Sequence, residues 1–251
     1  MKNNFYSKKT LCNVYTKPTS KSEVSSQILY GEKFSIISKN KKWIKIKTDY
    51  DNYTGYIKYD KFTKNFKPTH KIFKLKAQIL KKLHNKFVPI KRFLYFASRI
   101  TQRQQCGNFI EFEKNRWVKK IDTKEINHQE KNILKVLKIF LNTKYLWGGK
   151  TAKGIDCSAF IQIFFYYNRI FFPRDTKNQL RFCKRTKIKK LGKGDLVFWK
   201  GHVGICLNRS QLIHAYGPRK KVLIMPTKST INLIRKSANL KIKKISNINF
   251  Y

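Results

Sequence analysis

The sequence predicts an α+β chain in which two small antiparallel β-barrels precede a domain that reads helices first and consecutive short strands afterwards. Three observations carry this. Residues 11–66 and 71–122 break into strand-like runs of roughly four to six residues separated by turn residues, the grammar of small barrels. Past Thr123 the apolar spacing becomes helical and only later returns to strands, which describes an α+β domain. The chain has 251 residues, 41% of them hydrophobic and 14% aromatic, enough to build several folded cores and far from a disordered composition.

In chain order, Val14 and Tyr15 lead into the Pro18, Thr19, Ser20 turn. Gln27 to Leu29, the Gly31 break, Lys33 to Ser38, the alternating Trp43 to Lys47 and Tyr53 to Ile57 around Gly55 complete a first barrel, residues 1–66. A second barrel, residues 67–123, takes Lys74 to Leu80, Lys86 to Ile90, Phe93 to Ser98, Phe109 to Glu113 and Arg116 to Ile121 as strands, with a hairpin turning at Lys114-Asn115. The third domain is 124–251. Glu125 to Leu141 carries Ile133, Leu134, Leu137 and Phe140 at helical spacing, and Asp156 to Tyr167 is a second, more apolar and therefore more buried helix. After Pro173 and the glycines at 192 and 194 come strands Leu196 to Trp199, His202 to Leu207, Gln211 to Tyr216 and Val222 to Met225.

Lys and Arg number 57 against 13 Asp and Glu, a formal net charge of +44. Such a surface attracts polyanions. The lysines are spread over the whole length beside abundant Asn and Ile, which favours compositional drift over a dedicated nucleic-acid site. Five cysteines without a paired or zinc-like spacing argue against a disulfide framework or structural metal and suit a reducing compartment. The first residues lack an apolar signal core and no apolar run is long enough to span a membrane, so a cytoplasmic location is expected.

The segment with chemical content is Gly148 to Phe160. Its glycine-rich loop delivers Cys157 to the first turn of the buried helix, where unpaired N–H groups stabilise an anion. A helix N-terminus can lower a thiol pKa from about 8.5 into the range of about 3.5 to 7.5, so a reactive thiolate is expected. Cys206, inside an apolar strand, reads as a small hydrophobe. Among the histidines, His70, His84 and His128 stand in polar surroundings, whereas His202 and His214 fall inside strands joined by an Asn208 to Gln211 turn. If the loop between those strands holds an odd number of residues, both imidazoles share one sheet face. One could then serve Cys157 as base while the other orients it. The same pair could instead hold a metal with Cys157, for which no further ligand is evident, or be core histidines.

These residues, Tyr145-Leu146-Trp147-Gly148-Gly149, Asp156-Cys157-Ser158, Pro173-Arg174-Asp175, Gly194 to Phe198, Gly201 to Ile205 and Ile213-His214-Ala215, resemble in order and spacing the NlpC-type cell-wall cysteine peptidases, whose core is papain-like. The resemblance implies Cys157 as nucleophile, His202 as base, His214 as its orienter and Tyr145 as an oxyanion donor. The leading barrels resemble bacterial SH3-like domains of a subgroup that acts on small, freed wall peptides. In that subgroup Glu32, Tyr56 and Asp156 would hold the substrate's free α-amino group, with Ser158 and Thr176 lining the same subsite. A desolvated ammonium needs such pairing.

The implied reaction is cleavage between γ-D-glutamate and a diamino acid, usually diaminopimelate, in murein-derived peptides with a free N-terminal L-alanine. It needs no cofactor or metal, and a monomer engaged in recycling is expected. Two other readings remain open: an exported endopeptidase acting on intact peptidoglycan, and a non-enzymatic SH3-like module binding wall polymer or nucleic acid.

Overall fold

The computed structural model describes residues 4–60, 62–186 and 190–248; the extreme ends of the first and third predicted domains lie outside the described residues. The chain forms two compact units, Met1–Gln129 and Glu130–Tyr251.

The N-terminal unit is built of strands. β1 (Asn4–Tyr6), β2 (Leu11–Tyr15), β3 (Val24–Leu29), β4 (Lys33–Asn40), β5 (Trp43–Thr48) and β6 (Thr54–Lys58) form one antiparallel sheet in the order β1-β4-β5-β6-β2-β3. Val14, Ile28, Phe34, Ile44, Ile46 and Ile57, from five of those strands, meet in a single core, so the sheet curls round itself as a small barrel. Gly31, in the turn after β3, has φ +74°, and a Cβ there would lie 2.2 Å from the Arg99 carbonyl oxygen, a position open only to glycine.

The following strands are β7 (His70–Ile72), β8 (Lys76–Leu83), β9 (Lys86–Tyr95), β10 (Arg99–Ile100), β11 (Gln104–Cys106), β12 (Phe109–Glu113), β13 (Arg116–Lys119) and β14 (Thr123–Glu125). They pair as β10-β7-β14 and β11-β12-β13-β8-β9 over a second core that includes Ile72, Ile79, Leu94 and Ile110. The runs expected at 86–90 and 93–98 are one strand to Tyr95: the register shifts between Gln78 and Leu80, and the Gln78 amide donates to the Ile90 and Arg92 carbonyls, so the bulge replaces the expected break. The Lys114-Asn115 turn closes the β12–β13 hairpin, Asn115 taking φ 52°. Because β14 pairs with β7, this unit continues past Thr123.

In the C-terminal unit, helix α1 is Ile133–Lys138, much shorter than the stretch expected from Glu125. Thr123–Glu125 is committed to a strand, and the Asn132 side chain caps the helix by accepting from Lys135 N at 3.1 Å. Asn142, at φ 64°, lies beyond its end. The short hairpin β15 (Lys150–Thr151) and β16 (Gly154–Ile155) leads into α2 (Cys157–Asn168), every residue of which is buried. α3 (Thr176–Phe182) follows, then β17 (Asp195–Trp199), β18 (His202–Cys206), β19 (Gln211–Tyr216), β20 (Lys221–Pro226), α4 (Thr227–Ala238) and β21 (Lys244–Asn247). The strands form one antiparallel sheet, β20-β19-β18-β17-β21. α2 packs against β18 and β19, while Ile231 and Ile234 of α4 join a core with Val197, Trp199, Leu212 and Tyr216. No helix among the described residues is long and apolar enough to cross a membrane.

Candidate active site

The loop before α2 is shaped by close backbone contact. A Cβ on Gly149 would come within 2.4 Å of the Gly154 carbonyl oxygen, so the β15–β16 hairpin can fold back only because that residue is glycine. Asp156 then caps α2, its Oδ1 accepting from Ala159 N at 2.7 Å. Cys157 follows as the first helical residue, 3% exposed.

Asp156 does more than cap. Its Oδ2 accepts from Gly148 N at 3.0 Å, and its two oxygens accept a bidentate fork from Arg174, Nη1 at 3.0 Å and Nη2 at 2.6 Å. Ser158 Oγ donates to Oδ1 at 3.1 Å and accepts from Arg174 Nη1 at 3.0 Å. All three side chains are buried. A charge withdrawn from water must be paired, and the cation that pairs Asp156 is Arg174, a residue to which the sequence reading gave no role although it stands in one of the quoted motifs. Its arginine-proline neighbourhood was visible; its partner, 18 residues upstream, was not.

The thiol sits between α3 and the start of β18. Sγ lies 3.7 Å from Thr176 Oγ1 and 3.8 Å from the Gly201 carbonyl oxygen. Burial, followed by the nearby Asp156 charge, pushes the thiol up to about 11, against weaker lowering by the Thr176 and Val203 hydrogen bonds and by Arg174. This corrects the expected thiolate: withdrawal of the sulfur from water outweighs the helix N-terminus, and the resting group is a neutral thiol.

The register Ile205↔Ile213 places Gly204 opposite His214, so His202 and His214 share a sheet face; five residues, 207–211, lie between the paired residues Cys206 and Leu212, the odd number that this geometry requires. His202 Nε2 and His214 Nδ1 are 2.9 Å apart, and Tyr216 stacks on the His214 ring at 4.7 Å with 10° between planes. Burial lowers His202 to about 4; burial and then the His202 charge lower His214 to about 3, so both rings are neutral near pH 7.

The far side of His214 assigns the tautomers. Its Nε2 lies 3.4 Å from Met225 Sδ, and a thioether can only accept, so Nε2 carries the hydrogen and Nδ1 is the bare acceptor. His202 must then donate from Nε2, which leaves His202 Nδ1 as the basic nitrogen. Nothing in the sequence pointed to Met225, since its place depends on the β19–β20 register, Leu212↔Met225. Among the described residues the thiol is hydrogen-bonded to Thr176 and Gly201 and not to the His202 ring; the sulfur rests against the backbone on either side of that histidine. Such catalytic contacts are often long before substrate arrives.

Tyr145 is half-buried, its N–H donating to the Lys220 carbonyl at 2.8 Å. Burial raises its phenol, and the charges of Cys157 and Asp156 add to the rise, which puts the hydroxyl within electrostatic reach of the sulfur. Glu32 and Tyr56 belong to the N-terminal unit. Glu32 is 1% exposed and its Oε2 accepts from Leu29 N at 2.9 Å, closing the Gly31 turn; Tyr56 is half-buried on β6 beside Lys45. No group of three or more His, Cys, Asp or Glu among the described residues is arranged to hold a metal, and the five cysteines are free.

Residues 142–236 match the NlpC/P60 family, and residues 14–61 match the bacterial dipeptidyl-peptidase SH3 domain. The chain carries an NlpC/P60 domain. With that domain it is a cysteine-type peptidase, and the α+β architecture behind a leading SH3 domain agrees with the expected fold class. The chain is 26% identical to the γ-D-glutamyl-L-lysine dipeptidyl-peptidase of Bacillus subtilis (strain 168), over 83% of this chain and 77% of that one. It is 27% identical to dipeptidyl-peptidase 6 of Lysinibacillus sphaericus, over 82% and 84%. An NlpC/P60 family protein of Bacillus cereus ATCC 10987 shares the fold with a TM-score of 0.76 at 19% identity, covering 89% of this chain and 94% of that one. The cysteine and both histidines all fall inside the span of the NlpC/P60 domain.

Proposed function

We propose that the enzyme hydrolyses the bond between γ-D-glutamate and a diamino acid in peptidoglycan-derived peptides bearing a free N-terminal L-alanine, releasing L-alanyl-γ-D-glutamate. The observation that carries this reading is the row Met225, His214, His202, which leaves one basic nitrogen on the histidine whose flanking backbone, at Gly201 and Val203, contacts the sulfur of a cysteine at a helix N-terminus. Two relatives named as dipeptidyl-peptidases, matched over most of both chains, and the dipeptidyl-peptidase type of the SH3 domain support the substrate class.

In this mechanism the Cys157 proton passes to His202 Nδ1 as Sγ attacks the carbonyl carbon. Starting from a neutral thiol and a neutral imidazole, transfer is coupled to attack rather than completed beforehand. The oxyanion receives hydrogen bonds from Tyr145 and from backbone N–H at the start of α2. His202 returns the proton to the leaving amine, the C–N bond breaks, and an S-acyl intermediate remains. Water, deprotonated by His202, then cleaves the thioester and restores the thiol. His214 holds the base in its tautomer throughout.

In the C-terminal unit, Asp156, Ser158 and Thr176 are the candidates for recognising the free amino group, and Glu32 and Tyr56 are the candidates carried by the N-terminal unit. Acting as a monomer within the cytoplasm, such an enzyme would consume freed wall peptides in recycling. Incubation with the tripeptide L-Ala-γ-D-Glu-diaminopimelate, its N-acetylated form and intact sacculi tests the proposal. Release of the dipeptide from the free tripeptide alone is expected, and it disappears in Cys157→Ala. Cleavage of sacculi or of the acetylated peptide at equal rate would overturn it.

A further inference from the structure

The carboxylates of the N-terminal unit are unevenly placed. Residues 61–110 contain 13 Lys and Arg and no Asp or Glu. Within that stretch lies the β8–β9 hairpin, which turns at His84 and Asn85, with His84 at φ 50°. The register Lys81↔Val88, Lys82↔Phe87, Leu83↔Lys86 sorts its end into two faces, because paired residues point the same way. Lys82 and Phe87 turn inward. The Phe87 ring stacks on Phe109 with centroids 3.9 Å apart and meets Trp117 edge-on, while Lys82 Nζ donates to the Cys106 sulfur at 3.5 Å. The opposite face carries Lys81, Leu83, Lys86 and Val88, and all four are exposed.

Leu83 is 51% exposed and Val88 40%. A single exposed aliphatic residue is ordinary, but here two share one face of a hairpin end with two ammonium groups that have no carboxylate partner among the described residues. His84, Lys91 and Arg92 are exposed nearby on the same hairpin. β9 is the edge of its sheet, and lysines and a proline guard such an edge against strand addition. That accounts for Pro89 and the charges. It gives no reason to expose Leu83 and Val88.

The two aliphatic side chains also choose among polyanions. Single-stranded nucleic acid would satisfy the lysines through its phosphates, but its bases need an open ring face, and Phe87, the only Phe, Tyr or Trp between 81 and 88, is already stacked on Phe109. A bilayer surface rich in anionic lipid meets both features: ammonium groups sit among the head groups while short aliphatic side chains enter the layer just beneath.

We infer that the β8–β9 hairpin docks on an anionic lipid surface. Leu83 and Val88 enter the boundary between head groups and acyl chains, and Lys81 and Lys86, with Lys91 and Arg92 behind them, hold the head groups. The element lies wholly within the N-terminal unit, so the inference stands apart from the peptide reaction proposed above.

The test pellets the full chain with vesicles of phosphatidylethanolamine and phosphatidylglycerol at about 3:1, and with vesicles of phosphatidylcholine alone. Binding to the first and not the second is expected. Because a chain of net charge +44 is drawn to any anionic surface, the deciding variant keeps every charge. Leu83→Ser/Val88→Ser should weaken vesicle binding about tenfold and leave binding to a single-stranded oligonucleotide unchanged. Lys81→Glu/Lys86→Glu should weaken it by at least about 25-fold, roughly fivefold for each cation lost. Leu83→Phe/Val88→Phe should tighten it, and this gain keeps the test decisive if circular dichroism shows the serine variant misfolded. Equal vesicle binding by the parent and a folded serine variant would mean general charge attraction only and would overturn the inference. So would a serine variant that loses the oligonucleotide or intact sacculi and keeps the vesicles, since the occupant would then be nucleic acid or wall polymer.

Discussion

Two buried polar clusters flank Cys157, and they solve the problem of burial in opposite ways. Asp156, Ser158 and Arg174 keep their charges and saturate them: every contact of the Asp156 carboxylate goes to a guanidinium, a hydroxyl or a backbone N–H. His202 and His214 give up their charge, and burial holds both rings neutral. A saturated cluster fixes geometry because no member can turn without leaving a buried group unpaired. The histidine row keeps one nitrogen, His202 Nδ1, without a partner among the described residues, and that open valence is where chemistry is possible. Scaffold and reagent are thus told apart by which hydrogen bonds are left unmade.

The largest effect should come from breaking the saturated cluster. Arg174→Met leaves the Asp156 carboxylate buried without its cation, a change of about 3–5 kcal/mol in unfolding free energy. Denaturant titration measures it, and Asp156→Asn placed in the same chain should recover part of the loss, because the amide still caps α2 without a charge. If Arg174→Met alone costs under about 1 kcal/mol, in the range of an exposed pair, the cluster is not the scaffold described here.

The neutral row responds to pH instead. Folded, His202 sits at about 4 and His214 at about 3, both below the value of 6.5 that applies when the chain is unfolded. Between those limits the unfolded state binds more protons, so stability is fully present above pH 6.5 and is lost as pH falls toward 4. Each ring contributes a slope on the order of 1.4 kcal/mol per pH unit. His214→Phe should flatten its share of that slope. On the alkaline side Cys157 works in the other direction: its folded value is pushed up to about 11, so stability falls as pH rises from 9 toward 11. Unfolding curves at pH 7.5, 6 and 5 read the acid arm; a flat profile would contradict neutral buried histidines.

How much of this was legible beforehand follows from which contacts are local. Cys157 at a helix start and the two histidines inside neighbouring strands are properties of short segments, and the sequence pattern carries them; the parity of the loop between those strands stayed open until the register fixed it, and the capping role of Asp156 emerged only from the structure. Local pattern also carries the SH3-type barrel, whose strands are broken by turns at Pro18 and Gly31. The thiol's raised pKa was misjudged because it depends on how completely the sheet and α3 cover the sulfur, a quantity no spacing encodes. Arg174 and Met225 were missed for a related reason: each acts across a distance set by tertiary register, 18 residues from Asp156 in one case and across the β19–β20 pair in the other. The Glu125 to Leu141 helix failed where a strand pairing in the preceding unit claimed its first residues.

Met225 offers the finest test of the contrast, because it touches the reagent cluster without touching substrate. Leucine is close to methionine in volume, so Met225→Leu should change stability by under about 1.5 kcal/mol. What leucine removes is the acceptor for His214 Nε2–H. Without it His214 can place its hydrogen on Nδ1, and His202, facing that hydrogen with Nε2, must carry its own on Nδ1, where it cannot take the thiol proton. A tautomer shift of this kind should lower kcat about tenfold, a population penalty near 1.4 kcal/mol, with KM unchanged. Nitrogen-15 shifts of the two imidazoles give the readout that a packing role would not move: His202 should report Nε2–H in the parent and a growing Nδ1–H fraction in the variant. A full loss of stability with unaltered tautomers would make Met225 a packing residue and nothing more, whereas a tautomer shift at constant stability would show that the sulfur decides which nitrogen of His202 is the base.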